Sequence, residues 1–324
     1  MRRSWLEILP FLLTFAATAS AESTPSPALI VLNKGDNALA IVNPANGKVV
    51  ATVPVGRNPH EAAVSDDGKL AFTSNMQGNS ISVIDLAAQK EIHRVELPNL
   101  RTPHGLYFAG GKLYFTAQGN NSIARYDPAT NQIDWTRDSG QSGTHMLVMT
   151  KDHNKIFTSN MQSDSIGMFE RTGEQEYKLK VIPVGKGPEA IAISPDGKEV
   201  WTAAAGDSKV AIIDVAAGAV SGNIQIPTQR INRLQFTPDG KLALLSDSSN
   251  GDLIILDVRA RKELKRFKVG ENCEGILVTP DGTRAYVASE RNNFVGVLDL
   301  KKLELTDRIQ PGNGPDGLAW AVRK

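Results

Sequence analysis

One pattern constrains this chain more than any other. An alternating apolar run ends in a carboxylate or its amide at Asn43, Asp85, Asp127, Glu170, Asp214, Asp257 and Asp299, and the successive spacings are 42, 42, 43, 44, 43 and 42 residues. Whole phrases recur with it: Leu70-Ala71-Phe72-Thr73-Ser74-Asn75-Met76-Gln77 returns as Ile156-Phe157-Thr158-Ser159-Asn160-Met161-Gln162. A period of this size marks an array of small units, each burying its apolar face only by stacking on its neighbours. It excludes a pair of independent domains, the first guess from 324 residues.

Each unit reads as four short strands. In the fourth, Ala190-Ile191-Ala192-Ile193 precedes the tight turn Pro195-Asp196-Gly197, and Glu199 to Thr202, Val210 to Asp214 and Gly222 to Ile226 follow. The turn recurs at Pro238-Asp239-Gly240 and Pro280-Asp281-Gly282, with Asp66-Asp67-Gly68 as a variant. Four even strands per unit predict an all-β, seven-bladed β-propeller. The recurring Asp is expected to cap the turn between third and fourth strands through backbone amides. Gly317 to Val322 match only a first strand, and Leu29 to Val55 match strands two to four. The termini therefore share one blade and close the ring, which removes two open edges.

Composition limits the function classes. A 41% hydrophobic content suffices for a large core. Lys and Arg number 36 against 35 Asp and Glu, which argues against nucleic acid as a partner. A single cysteine, Cys273, excludes a disulfide framework and a Cys-based zinc ribbon. It stands where other blades carry Pro and is expected to be buried and inert.

Residues 1–21 read as an export signal. Arg2 and Arg3 lead into a short apolar run, and Ala19-Ser20-Ala21 offers a cleavage site. The run is too short to span a bilayer. Residues 22–27 read as a short linker and 28–324 as the propeller. The expected product is periplasmic or secreted, without a transmembrane segment, and monomeric. Export through the general secretory or the twin-arginine route stays open.

Two stretches carry a family likeness. Phe72-Thr73-Ser74-Asn75 with Ser80-Ile81-Ser82-Val83-Ile84-Asp85, and Tyr286-Val287-Ala288-Ser289 with Phe294-Val295-Gly296-Val297-Leu298-Asp299, resemble the YVTN β-propeller repeat. The resemblance covers essentially the whole chain after the signal. It implies the fold and selects no reaction, since such propellers include lactonases, lyases, cofactor-bearing reductase domains and cell-surface binding proteins.

Geometry indicates where chemistry belongs. The first strand of each blade lines the central channel, and the loop from second to third strand returns to the end where the first begins. The second residue of each first strand is His60, His104, His145, Glu189, Asn232, Glu274 and Asp316 in turn. All seven are polar, and three of the chain's five histidines fall there on consecutive blades.

Three readings fit. His60, His104 and His145 bind zinc, manganese, copper or iron with Asp316 completing the site, and Glu189 or Glu274 serves as acid or base in a lyase or hydrolase acting on a lactone or carbohydrate. Alternatively the ring hydrogen-bonds a small polar ligand, or it is a wet structural lining on a protein-interaction scaffold. Whether three blades bring imidazoles close enough to share one ion is a question for the structure. Loop residues Asn75, Gln77, Gln118, Asn160 and Gln162 add amides for a ligand, Asn232 joins them from the ring, and Arg233 and Arg291 add a hold for a carboxylate. Met76 and Met161 read as packing residues. A small molecule or a protein partner would meet this same face.

Overall fold

The computed structural model describes residues 22–324. The expected export signal lies outside them. The described chain forms 28 strands in seven four-stranded antiparallel sheets. We number the blades from residue 59, so blade 1 spans residues 59–96. Blades 2 to 6 follow, and blade 7 joins both ends of the chain. In blade 7 the inner strand Pro315–Ala321 pairs with Ala28–Asn33, with Leu29 opposite Trp320 and Ile30 opposite Ala319. Residues 22–27 dock against this seam. Thr24 is buried, its carbonyl accepts a hydrogen bond from Arg323, and its hydroxyl bonds the carbonyl of Leu86.

The core lies between blades rather than within them. Seven clusters each straddle one interface, such as Trp201 and Ile212 of blade 4 with Phe236 and Leu245 of blade 5. A single sheet cannot cover its own apolar faces, so the ring is the smallest unit that buries them all. The turn aspartates behave as expected. Asp85 accepts the amides of Ala87 and Ala88, and Asp299 those of Lys301 and Lys302. A second set of clips joins neighbours. Asn79, Asn121 and Asn293 adopt positive φ, and their side-chain carbonyls accept amides of Thr102, Gly143 and Gly314 on the following blade.

One irregularity positions the site. Each inner strand shifts register within its first turn of pairing. In blade 1, Pro59 faces Asn75 and Ala62 faces Thr73, so one residue is extra. The same bulge recurs on the other inner strands. It frees the amide of the third residue, which on four of the blades a hydroxyl of the second strand takes up. Glu61 donates to Ser74, Gly105 to Thr116, Met146 to Ser159 and Arg233 to Ser246. Three of these hydroxyls then donate to the next blade, at the carbonyls of His145, Glu189 and Glu274. The bulge thus turns the second residue into the channel while its own blade clips the following one.

Candidate functional site at the channel mouth

All seven predicted ring residues line one cavity of about 300 Å³, together with Lys34, Met76, Gln118, Met161, Arg230 and Arg233. Larger clefts of about 590 and 570 Å³ lie on the opposite face, between exposed turns of blades 4 to 6. They are open grooves with no ring of inward-facing polar groups, so the smaller cavity is the better site.

The mouth has two unlike halves. Blades 1 to 3 supply imidazoles. The rings of His60 and His104 stand 5.0 Å apart between centroids, and those of His104 and His145 stand 3.8 Å apart. Three separate blades therefore do bring the histidines together. Burial lowers the pKa of both His60 and His104, His104 by far the more, since its imidazole neighbours add to the effect. Both are neutral at pH 7. Among the described residues no three His, Cys, Asp or Glu side chains converge with the geometry of a metal site.

Blades 4 to 7 supply charge. Glu189 receives Arg230 on both oxygens, at 3.2 and 3.3 Å. Burial works to raise its pKa, but His145 and Arg230 outweigh that and bring it down to about 2. Glu274 is the opposite case. Burial, then the charge of Asp316, pushes it up to about 8, so it keeps its proton at neutral pH. It contacts the amide of Asn232. Asp316 is buried too, yet Lys34, His60 and Arg233 hold its pKa below the usual value. Lys34 reaches it at 3.3 Å and Glu290 at 2.8 Å.

Arg233 and Glu61 occupy the third position of their inner strands and contact each other from nearly opposite sides of the ring. Blades 6 and 7, which lie between them, carry Gly275 and Gly317 there. A Cβ at Gly317 would stand 2.2 Å from the carbonyl oxygen of His60, and one at Gly275 would stand 2.1 Å from that of Asp316. The inner strands are so close there that only glycine fits. Burial pushes Glu61 up to about 7 even against this partner.

Several expected ligand-binding residues lie elsewhere. Asn75 and Asn160 are fully buried, and they bond their own blades through Ser80 and Ser82, or Thr144 and Thr158. The last residue of a second strand alternates inward, and the side chain that reaches the cavity is the next one along. That position holds Gln118, as expected, but also Met76 and Met161. Gln77 and Gln162 lie one residue further still, exposed and outside the cavity. Arg291 is exposed and lines a separate cleft with Lys268 and Asn272. Cys273 is buried, and burial pushes its thiol up to about 12. Lys34 and Glu61 were missed. Lys34 shares the register of Met76, Gln118 and Met161, and Glu61 that of Arg233, so the repeat itself carried the signal.

A closed ring of seven blades around a polar cup defines the class, and the family follows from comparison. The chain belongs to the seven-bladed β-propeller lactonase family, whose profile matches residues 33–273. Among solved structures, a chain of Kuenenia stuttgartiensis hydrazine synthase superposes with a TM-score of 0.75 at 19% identity, covering 88% of this chain and 98% of that one. A proposed 6-phosphogluconolactonase of Bacteroides fragilis gives 0.76 at 16% identity, covering 95% and 100%. At these identities the likeness is one of fold. Antigen Lp49 of Leptospira interrogans is 26% identical over 201 residues, 55% of this chain and 43% of that protein. This chain therefore spans less than half the length of that relative.

Proposed function

We propose that the channel mouth binds a small hydroxylated lactone and opens its ring by hydrolysis. The observation that carries this reading is the set of unsatisfied polar atoms in the cup. His104 Nδ1, His145 Nδ1, Gln118 Oε1, Asn232 Oδ1 and Asp316 Oδ1 are buried without a hydrogen-bond partner among the described residues. Native proteins rarely leave such groups unpaired, so the cup is built for a ligand carrying several donors and acceptors. Family membership supports the lactone.

Three tasks must be shared out. Water attacking the carbonyl carbon needs a proton acceptor, and His60 and His104 are neutral imidazoles. Negative charge on the carbonyl oxygen needs a counter-charge, which Lys34 and Arg233 supply from a buried setting. The ring oxygen leaves as an alkoxide and needs a proton, which Glu274 still holds at pH 7. Glu189, ionised and clamped by Arg230, serves as a fixed counter-ion rather than a proton carrier.

The test is hydrolysis of a panel of sugar-acid and simple lactones, followed by proton release. Glu274→Gln should lower kcat by about 100-fold or more while the fold stays intact. A wild-type protein that binds the hydroxy acids but opens no lactone would leave a binding protein instead. That second reading has its own support, because the charges of Glu189 and Arg230, and of Lys34 and Asp316, are already paired with one another. Export belongs to the same proposal. N-terminal sequencing of protein from the periplasmic fraction should begin at Glu22.

A further inference from the structure

The channel-mouth face carries a second depression beside the cup. A cleft of about 430 Å³ opens at the loops of blades 5 and 6, and every side chain that lines it is polar. Arg230 lines both cavities, so the two meet across one guanidinium. Its Nε and Nη2 donate to Glu189, while Nη1 has no partner among the described residues.

The cations of this cleft are departures from the repeat. Arg230 precedes the inner strand of blade 5, where the other blades carry Asn58, Thr102, Gly143, Gly187, Asn272 and Gly314. Lys268 ends the outer strand of the same blade, and no other blade has a cation at that register. Arg291 is the second residue of its loop, where the other blades carry Gln77, Gly119, Gln162, Gly206, Ser249 and Gly35. Three departures of one sign thus gather around one cleft, against a single carboxylate, Glu271. Among the described residues Arg291 and Lys268 have no carboxylate within ion-pair distance, and the Lys268 ammonium donates to the carbonyl of Asn250. Like charges held together without counter-ions repel, and an anionic ligand relieves that repulsion.

Size narrows the ligand. Small-molecule pockets span about 300–1,000 Å³. The cup, at about 300 Å³, takes one sugar-sized unit. A lone carboxylate or phosphate would fill little of the neighbouring 430 Å³, which has room for a second ring. Ser248, Ser249 and Asn272 line it between the cations and offer hydroxyls and an amide to such a ring.

We propose that cup and cleft form one bipartite site for an acidic saccharide of two units. The inference rests on the reading of the cup given above and adds the neighbouring unit. The terminal unit, a sugar acid or its lactone, fills the cup. The second unit is a uronic acid, whose carboxylate Arg291 and Lys268 hold, with Arg230 at the junction.

The experiment is calorimetric titration of the purified, tag-free chain at low ionic strength, where surface charge is least screened. The probes are glucuronosyl-gluconate and cellobionate, which differ only in oxidation at C6 of the second ring, with gluconate and inorganic phosphate beside them. Wild type should bind the acidic disaccharide about tenfold or more tightly than cellobionate. Lys268→Gln with Arg291→Gln should erase that preference and leave gluconate affinity and the circular dichroism spectrum unchanged. Three results would each overturn the proposal: equal or absent binding of the two disaccharides by wild type, a preference that survives in the double variant, or displacement of the acidic disaccharide by an equal concentration of inorganic phosphate. Opening of gluconolactone by wild type and by the double variant judges the lactone reading separately. Preference for the acidic disaccharide without lactone opening leaves the bipartite site standing and removes the hydrolase, and lactone opening without the preference does the reverse.

Discussion

Glu274 keeps a proton that the unfolded chain would give up, and that has a thermodynamic consequence. The ordinary value is 4.5 and the folded one is about 8. Between those two pH values the native state binds more protons than the unfolded state, so stability falls as pH rises through the window. Glu61, up to about 7, acts in the same direction. His60 and His104, whose pKa burial lowers from 6.5, act the opposite way below that value, so melting temperature should drop from about pH 6.5 to pH 8, and Glu274→Gln should flatten that slope. A slope unchanged in the variant would mean that Glu274 is ionised in the folded protein. In the lactone assay, kcat should fall above about pH 8 as the same group loses its proton. The ring of seven was legible because the repeat assigns one position to the channel. The residues around it were harder to read. Asn75 and Asn160 repeat conspicuously, but what repeats is a buried amide that holds its own blade. Lys34 and Glu61 were overlooked because each departs from the residue type its counterparts carry, and a departure is where chemistry on a repeated scaffold appears.

At the level of the strand, the inner-strand bulge and its hydroxyl clip join geometry to stability. Ser246 takes the amide of Arg233 and gives its proton to the carbonyl of Glu274. Ser246→Ala leaves both unsatisfied and should cost about 1–3 kcal/mol, read by urea denaturation. Gly317→Ala places a methyl against the backbone of the neighbouring inner strand, which cannot retreat as a side chain would. We expect a loss of about 3 kcal/mol, larger than for alanine at Gly111, which has open space around it and carries only the strain of a positive φ, a strain Gly317 lacks. Equal losses would mean that the neighbouring strand yields and that crowding costs no more than that strain. The turn chemistry was predictable from sequence because Pro-Asp-Gly and the recurring Asp act locally. The bulge was not. It occurs whether the facing position of the second strand holds a hydroxyl, as at Ser74, Thr116, Ser159 and Ser246, or an apolar residue, as at Leu32, Ala203 and Ala288, so no residue type marks it.

For the molecule as a whole, blade 7 decides whether the ring exists. Removal of residues 315–324 takes away its inner strand, exposes the edge of Ala28–Asn33 and uncovers Leu29, Val31 and Leu318's partners in the core. The truncated chain should aggregate, while a circular permutant opened between blades 3 and 4 and joined across the native ends should fold and elute as one compact species. A soluble, folded truncation would show that the other six blades close without the seventh. The architecture was readable in advance because the period and the split blade are properties of the whole chain, averaged over seven copies.

The split blade also bears on the order of folding. Its inner two strands, Ala28–Asn33 and Pro315–Ala321, come from distant stretches of the described chain, whereas the strands of every other blade are neighbours in sequence. That one pairing carries the largest loop-closure entropy in the molecule and is expected to form late. Lys34 and Asp316 meet only when it forms, so the contact that shuts the ring also supplies the last wall of the cup, and the two are a single event.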